Sequence, residues 1–299
     1  MKTIDVSIII VNYNTLSLTR ECIDSIFSFT KRIAFEVILV DNNSNDGSKE
    51  FFQQDKRIAY IYENENHGFG VANNIGAKVA VGKYLFFLNS DTILFEDSIQ
   101  YLFSFLEDTK DAVICGGNLV SKEKLPTSSF ERFFPSVSYA INELLVKVPG
   151  KILYGKNTTF NYSKKPLKVA YVSGADLMIK KSDFEMLNGF DEKFFMYFEE
   201  TDLCKRASKL GYIYSVPSAS IIHLGGQSSK DSPKLPSENK LRIQSQSAKY
   251  FFSKHYGKVY VKIYNFIKRL SAYTRVLEFS VIGDKDKADL WRSVIRLNR

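Results

Sequence analysis

The feature that most constrains this sequence is an alternation, over roughly the first 90 residues, of short apolar runs with stretches of helical periodicity. Apolar residues recur at helical spacing from Leu18 to Phe29, and a second helical pattern runs from Asn74 to Val81. The apolar runs predict buried strands at Val6–Val11, Glu36–Val40, Ile58–Tyr62 and Tyr84–Leu88. Strands separated by helices predict an α/β fold with a Rossmann-like, mostly parallel central sheet flanked by helices.

Polar side chains follow three of these strands at their carboxyl ends, where open α/β sheets bind their ligands. The clusters are Asn12-Tyr13-Asn14, Asp41-Asn42-Asn43-Ser44 and Asn89-Ser90-Asp91. Each cluster alone could be an ordinary turn, because Asn, Asp and Ser favour turns. Three clusters on one rim of the sheet favour a binding site.

Asp91 directly follows the end of a deeply apolar strand. A carboxylate in that position can hold Mg²⁺ or Mn²⁺, and Mg²⁺ typically binds one or two carboxylates together with phosphate oxygens. Such a cation would offset the negative charge of a phosphorylated ligand. The alternative is that Asp91 caps a helix predicted over Ile93–Leu106.

Glu199, Glu200 and Asp202 bring three carboxylates together at the start of a predicted helix that ends near Gly211. Clustered like charges raise the pKa of at least one carboxyl, as a base acting near neutral pH requires. The alternative is structural, because acidic residues favour a first helical turn and Asp202 can pair with Arg206. We expect Glu199 or Glu200 to face the cleft and Asp202 to support them.

His223 ends an apolar strand predicted at Ser220–Ile222 and precedes a pair of glycines, so it could reach a metal or a diphosphate. The alternative is a histidine with an ordinary structural hydrogen bond. The turn Gly68-Phe69-Gly70 lacks the third glycine of a dinucleotide fingerprint, which disfavours a dehydrogenase. Its backbone N–H groups could still approach a phosphate or a ribose.

The chain has 299 residues, enough for one large α/β domain or two small ones. We predict one domain over 1–226, divided into 1–92 and 93–226. The region 121–168 has no clear periodicity, 227–240 is predicted as a mobile loop, and 241–299 as a basic helical tail. The three cysteines show no metal or redox spacing, which favours a reducing compartment.

Excess positive charge is confined to the tail. Residues 245–299 hold 12 Lys or Arg and 4 Asp or Glu, whereas residues 1–244 hold 29 of each sign, so no nucleic-acid-binding surface is expected. One helical face of the tail carries Val259, Tyr260, Ile263, Phe266, Ile267 and Leu270, bordered by lysines and an arginine. This pattern is typical of a helix lying in an anionic membrane surface. Packing on the domain, or on a second subunit as a homodimer, is the alternative.

The sequence resembles glycosyltransferase family 2, and in its second half the rhamnosyltransferase branch of that family. The resemblance extends from Val6 to Gly226 and rests on the segments Val6–Asn14, Val40–Ser48, Asn66–Gly76, Leu88–Thr92, Ser173–Ala175, Gly189–Glu192, Phe194–Arg206 and His223. It implies a GT-A catalytic domain over 1–226, with a nucleotide-binding half at 1–92 and an acceptor half at 93–226, and an inverting single displacement. Two positions depart from the family pattern: Asn89 stands where the metal motif has an Asp, and Glu200 where Asp is commoner.

The resemblance also implies roles for individual residues. Glu200 would be the catalytic base, with Glu199 still open as the working residue, and Asp91 would hold the divalent metal with His223. Asp41 and Asn12 would contact the base and ribose of the nucleotide. The remaining residues expected at the nucleotide sugar are Asn14, Asn43, Gly70, Asn73, Asn74, Asn89 and Ser90, and those expected at the acceptor are Gly174 and Asp191.

The expected function is transfer of a single sugar, L-rhamnose from dTDP-rhamnose, to a saccharide or lipid-linked saccharide of a cell-surface polysaccharide precursor. The expected location is the inner face of the cell membrane, where the basic tail would hold the enzyme. A UDP- or GDP-linked donor is an alternative, as is an inactive sugar- or nucleotide-binding protein on the same fold. A sugar nucleotidyltransferase is disfavoured, because no glycine-rich basic loop follows the first strand.

Overall fold

The computed structural model describes residues 3–136, 152–225 and 235–298. Strands and helices alternate through the first half of the chain, as the sequence predicts, and within the described residues three helices follow the last strand. The strands are β1 (Val6–Asn12), β2 (Phe35–Asp41), β3 (Ala59–Tyr62), β4 (Tyr84–Asn89), β5 (Thr92–Leu94), β6 (Ala112–Val120), β7 (Phe130–Glu131), β8 (Leu167–Val169), β9 (Tyr171–Val172), β10 (Asp176–Lys180) and β11 (Tyr212–His223). The helices are α1 (Leu16–Phe29), α2 (Ser48–Phe52), α3 (Phe69–Val79), α4 (Ser98–Asp108), α5 (Lys181–Met186), α6 (Glu199–Ala207), α7 (Glu238–Tyr256), α8 (Lys258–Ile282) and α9 (Lys285–Leu297).

The central sheet has the strand order β3-β2-β1-β4-β10-β6-β11-β5, and β8 pairs with β11. β1, β2, β3 and β4 are parallel, which confirms the predicted arrangement of the first half. β1 and the apolar part of β4 are almost fully buried. Their continuous apolar sequences are typical of strands covered on both faces.

The second half adds antiparallel pairings to the parallel core. β10 lies antiparallel between β4 and β6, and β5 is antiparallel to the end of β11. The pairing of β5 with β11 places His223 opposite Thr92. Both residues therefore lie next to the end of β4.

Two predicted helices have different boundaries in the structure. α3 begins at Phe69, not at Asn74, because Gly68 turns the chain and the Phe69 N–H donates to the carbonyl of Phe195 over 2.9 Å. The helix predicted over Ile93–Leu106 was partly wrong, because residues 92–94 form β5 and α4 starts only at Ser98. The alternative in which Asp91 caps that helix is excluded by this late start.

The chain divides into two compact units. One unit contains Met1–Arg132, Lys156–Phe195 and Glu199–Ser228, and the other contains Phe133–Gly155, Met196–Phe198 and Ser229–Arg299. The predicted mobile loop, 227–240, lies partly outside the described residues, and the chain is already helical from Glu238. The predicted tail helix is confirmed as α8, and no helix of the described residues is both long and apolar enough to cross a bilayer.

Candidate functional site

The three polar clusters predicted at strand ends lie on one rim of the sheet. Asn12 is paired with Asp41 across β1 and β2, and Val11 is paired with Asn89 across β1 and β4. Because these strands are parallel, their carboxyl ends open on the same side. The sequence prediction of a shared rim is confirmed.

A buried hydrogen-bond network fixes the ends of β1 and β2. The Asp41 carboxylate accepts from the Asn12 amide at 3.3 Å, from the Tyr60 hydroxyl at 3.0 Å and from the Ser44 N–H at 2.8 Å. The side-chain Oδ1 of Asn12 accepts from the hydroxyls of Thr15 and Thr19, both at 2.8 Å. Asn12 and Asp41 are fully buried, so the network presets the shape of this rim before any ligand binds.

Asn14 and Asn43 lie in the loops that follow β1 and β2, and both are less buried than Asn12 and Asp41. Both have left-handed backbone, with φ of 55° and 69°, and Asn43 is exposed. The two loops are joined, because Asn14 accepts from the Asn45 N–H at 2.8 Å and donates its own N–H to the Ser44 hydroxyl at 2.9 Å. This interlock holds the loops at a fixed separation.

The Gly68–Gly70 turn packs closely against the second half of the fold. A side chain at Gly68 would lie 2.1 Å from the carbonyl oxygen of Phe195, and one at Gly70 would lie 3.2 Å from Phe190. Asn74 exchanges two 2.9 Å hydrogen bonds with the backbone of Phe190. Asn74 therefore bridges the two halves of the sheet unit, and its expected contact with the donor stays a prediction.

Asn73, also expected at the donor, is directed into its own helix. Its amide donates to the Phe69 carbonyl at 3.0 Å, and its side-chain oxygen is buried with no hydrogen-bond partner among the described residues. The structure thus leaves one acceptor at this position unused.

Asp91 and His223 meet at the end of β4. The Asp91 carboxylate lies 3.3 Å from Nε2 of His223, and the Asn89 amide lies 3.5 Å from the same nitrogen. The Leu224 N–H donates to the Asp91 carbonyl at 2.9 Å, which holds the end of β11 beside the turn. Ser90 contacts the Thr15 hydroxyl at 3.2 Å, linking this turn to the β1 network.

These two side chains fit a divalent cation as a partial ligand set. Carboxylate and imidazole both ligate divalent metals, and the remaining positions would come from diphosphate oxygens and water. Among the described residues no group of three or more His, Cys, Asp or Glu is placed to hold a metal. Asp91 and His223 are a pair, so they fall below that number.

Glu199 and Glu200 begin α6 but have different surroundings. Glu199 is buried, its β-carbon lies 3.6 Å from the position of a side chain at Gly70, and its Oε2 has no hydrogen-bond partner among the described residues. Burial raises the pKa of Glu199 well above its ordinary value, and the charge of Glu200 adds to the rise. These surroundings favour the protonated form of the Glu199 carboxyl.

Glu200 is only partly buried and accepts from the Thr201 hydroxyl at 3.0 Å. Burial raises the pKa of Glu200 as well, while hydrogen bonds to the backbone oppose the rise. Its side chain lies against Gly174, where an added β-carbon would be 3.4 Å away. The neighbouring Ala175 carbonyl accepts the Asn89 N–H at 3.0 Å, so the turn beside Glu200 is joined directly to the end of β4.

Asp202 and Asp191 are engaged by the protein itself. Asp202 is fully buried and pairs with Arg206 at 2.8 Å, the i,i+4 pair that the sequence predicts. Arg206 also donates to the carbonyls of Leu187 and Gly189, so the pair fixes the turn before Asp191. Asp191 accepts from the Lys193 N–H at 3.0 Å.

Comparison with known families shows which family this chain belongs to. The family model described as "Glycosyl transferase family 2" matches residues 7–187, more than half of the sequence. The chain belongs to glycosyltransferase family 2. A second family model, described as "N-terminal domain of galactosyltransferase", matches residues 157–225, a segment that includes both glutamates and His223.

Curated relatives agree with that membership. The chain is 29% identical over 209 residues to the low-salt glycan biosynthesis hexosyltransferase Agl10 of Haloferax volcanii, covering 69% of this chain and 62% of that protein. It is 28% identical over 205 residues to the rhamnosyltransferase WbbL of Escherichia coli, covering 63% and 72%. It is 30% identical over 146 residues to the glycosyltransferase GlyG of Streptococcus pneumoniae, covering 48% of each. The chain thus spans less than two thirds of Agl10 and about half of GlyG.

A solved structure shares the fold. A crystal structure of GalNAc-T7 with UDP, GalNAc and Mn2+ superposes with a TM-score of 0.58 at 18% identity, covering 84% of this chain and 50% of that one. This likeness confirms the predicted GT-A fold of the family 2 chain.

Two sets of contacts around the strand ends of this family 2 chain were not predicted from the sequence. Asn42 donates to Asn66 at 2.9 Å and to the Gly68 carbonyl at 3.2 Å, tying β2 to the turn before α3. Tyr60 supports Asp41, and its pKa is raised by burial and by that carboxylate. Asn42 and Asn66 both lie in segments that carry the family resemblance. The hydrogen bond between them joins two separate segments, so no local sequence pattern indicates it.

Proposed function

We propose that this chain catalyses inverting transfer of a single sugar from a nucleotide sugar to an acceptor hydroxyl. The observation that carries the proposal is the partly exposed Glu200, which has a raised pKa and lies against the Gly174 turn joined to the end of β4. The acceptor oxygen would bond to the anomeric carbon as the bond from that carbon to the diphosphate oxygen breaks. The hydroxyl proton would pass to Glu200.

The different surroundings of the two glutamates support Glu200 as the base. A base must be ionised and must reach the acceptor, and Glu199 is the more buried carboxyl of the pair. Glu199 in its protonated form would leave the charge of the pair on Glu200. Activity should therefore fall as the pH is lowered through an apparent pKa above that of an ordinary glutamate.

The test compares Glu200→Gln with Glu199→Gln on purified protein, using a panel of nucleotide sugars with Mg²⁺ or Mn²⁺. We expect Glu200→Gln to lower kcat roughly 100-fold or more, because general-base catalysis contributes at least that factor. Binding of the nucleoside diphosphate should be unchanged. Glu185→Gln, at an exposed glutamate of α5, is the matched control. Equal activity of wild type and Glu200→Gln would refute the assignment, and metal-dependent donor binding without turnover would favour a binding protein.

For the donor we propose L-rhamnose linked to dTDP. The resemblance to the rhamnosyltransferase branch and the similarity to WbbL support it. A UDP- or GDP-linked sugar is the competing donor, and Agl10 is named only as a hexosyltransferase. Competition between dTDP-rhamnose, UDP-sugars and GDP-sugars in one transfer assay would identify the donor by its kcat/KM.

We further propose that Asp91 and His223 hold a divalent cation that offsets the charge of the leaving diphosphate. The 3.3 Å approach of the two side chains supports this role, as does Mn2+ in the GalNAc-T7 structure. Asp91→Asn should raise the Mn²⁺ concentration needed for half-maximal activity at least about tenfold, because one charged ligand is lost. An unchanged metal titration in Asp91→Asn would contradict the role.

The acceptor is proposed to be a lipid-linked saccharide at the inner face of the cell membrane, where α8 would bind anionic lipid. Its exposed apolar stripe, whose members are 40–88% exposed, consists of Val259, Ile263, Phe266, Leu270, Tyr273, Leu277 and Val281. The helix has five Lys or Arg and one acidic residue, Glu278. This charge fits anionic headgroups better than it fits a second copy of the same cationic helix.

Vesicle sedimentation tests the membrane proposal. Wild type should bind vesicles containing about one third anionic lipid more tightly than neutral ones, since each nearby cation adds roughly 1 kcal/mol. Phe266→Asp with Leu270→Asp should abolish binding, whereas Val81→Asp, at an exposed valine outside the tail, should not. If the double variant instead splits a dimer in solution and leaves vesicle binding intact, a second copy is the partner.

A further inference from the structure

The segment Met196–Phe198, directly before the glutamate pair, has an unusual backbone. Tyr197 and Phe198 both have left-handed backbone, with φ of 69° and 72°. Residues with side chains rarely adopt this region, and strained positions persist only where the surroundings hold them. Phe198 is joined by a peptide bond to Glu199, so its conformation sets the direction in which the chain enters α6.

Two residues of α7 hold this segment. The Ser247 hydroxyl donates to the Met196 carbonyl at 2.8 Å, and the ring of Phe251 packs on the ring of Phe198 with centroids 5.4 Å apart. Ser247 and Phe251 are both buried. Met196–Phe198 belongs to the same compact unit as α7, and the residues before and after it belong to the other.

The preceding residue is fixed separately. The Phe195 carbonyl accepts the Phe69 N–H at the start of α3, over 2.9 Å. The strained segment is thus tied at its first end by α3 and along its length by α7. Its other end is the first turn of α6, which carries Glu200.

We infer that α7 is a positioning element for the proposed base, and that Ser247 and Phe251 are the positioning residues. The inference rests on the proposed function of Glu200. Loss of either contact would let Tyr197 and Phe198 relax to ordinary backbone, which would redirect the start of α6. A base displaced by about 1 Å loses rate without losing donor binding.

The test pairs each variant with a neighbour on the same helix. Ser247→Ala is matched with Ser245→Ala, because the Ser245 hydroxyl contacts only Leu297 and Asn298 among the contacts described for it. Phe251→Leu is matched with Phe252→Leu, because Phe252 is equally buried but stacks on Tyr264 at 4.2 Å. All four variants are made in the full chain, and their melting temperatures are measured first.

We expect Ser247→Ala and Phe251→Leu to lower kcat roughly tenfold while the donor KM stays within about twofold. Ser245→Ala and Phe252→Leu should keep the wild-type kcat even where the melting temperature falls. If Phe252→Leu loses as much kcat as Phe251→Leu, or if Ser247→Ala and Phe251→Leu retain full activity, the inference is overturned.

Hydrogen exchange of a peptide covering residues 196–203 gives a readout that does not depend on activity. Exchange should be several-fold faster in Ser247→Ala and Phe251→Leu than in wild type, and unchanged in the two controls. Wild type that turns over no donor would refute the proposed function, and exchange would still decide whether α7 holds this segment. Equal exchange in all four variants would show that it does not.

Discussion

Asp176 is a buried carboxyl that the proposed reaction does not use. It is fully buried on β10, where one oxygen accepts the Gly117 N–H at 2.6 Å. The other oxygen has no hydrogen-bond partner within the described residues. Burial raises the pKa of Asp176 well above its ordinary value, so the folded protein favours the protonated acid.

Replacement of this carboxyl by an amide should stabilise the protein at neutral pH. Below the ordinary aspartate pKa, about 3.9, both folded and unfolded states are protonated and the carboxyl costs nothing. Above it the unfolded chain ionises first, so wild-type stability falls by roughly 1.4 kcal/mol per pH unit until the raised folded pKa is reached. Asp176→Asn should escape this loss, because its amide oxygen can still accept from Gly117.

Urea unfolding at about pH 4 and pH 8 measures the effect. The advantage of Asp176→Asn over wild type should grow with pH and exceed about 1 kcal/mol at the higher value. A difference that is independent of pH would mean that Asp176 ionises in the folded protein as easily as in the unfolded chain.

At the scale of single residues, part of the candidate site could be predicted from the sequence and part could not. The positions of Asp91, His223 and the glutamate pair follow from the sequence, because strand ends and a helix start fix them along the chain. The choice between Glu199 and Glu200 does not follow. The two are adjacent in sequence, and only the fold shows that Glu199 lies against Gly70 and Glu200 against Gly174, with Glu199 the more buried of the two.

Among the elements, the parallel strands of the first half were predictable because each is a short apolar run separated by a helix. The strands β5 and β10 could not be predicted in the same way. The segment Ile93–Leu94 has the same apolar character in a strand as in a helix, and its pairing with β11 comes from more than 120 residues later in the chain. β10 takes its place between β4 and β6 through pairings that no local periodicity encodes.

The start of α3 is an element boundary that one close contact decides. Gly68 has φ of 84°, and a β-carbon there would fall 2.1 Å from the Phe195 carbonyl oxygen. Gly68→Ala should therefore destabilise the fold by about 3 kcal/mol, through backbone strain and a clash with main chain that cannot move freely. The free energy of unfolding in urea measures it.

Gly283→Ala is the matched control for this boundary. Gly283 has nearly the same φ, 81°, but nothing lies within 4 Å of an added β-carbon. It should cost only about 1 kcal/mol, the contribution of the left-handed backbone alone. Equal losses in the two variants would mean that the contact with Phe195 contributes nothing to the position of α3.

Across the whole molecule, charge and apolar exposure are concentrated in the same part of the chain. Residues 245–299 carry the whole excess of positive charge, and the exposed stripe of α8 lies within them. The charge was evident from composition. The full length of the stripe was not, because only the structure shows that Tyr273, Leu277 and Val281 remain uncovered within their unit.

Varying the salt concentration should distinguish the two contributions proposed for membrane binding by α8, the charge of its cations and the insertion of its apolar stripe. Raising ionic strength from about 0.05 M to about 0.5 M shortens the Debye length from roughly 14 Å to roughly 4 Å and screens the attraction of the cations to anionic lipid. Apolar insertion is not screened. Binding of wild type to anionic vesicles should therefore weaken with salt to a residual level that the stripe supports.

Lys262→Gln with Arg269→Gln should bind more weakly at low salt and respond less to added salt, while Phe266→Asp with Leu270→Asp should leave no residual binding at high salt. Binding of wild type that ignores salt would mean that the cations of α8 take no part in it.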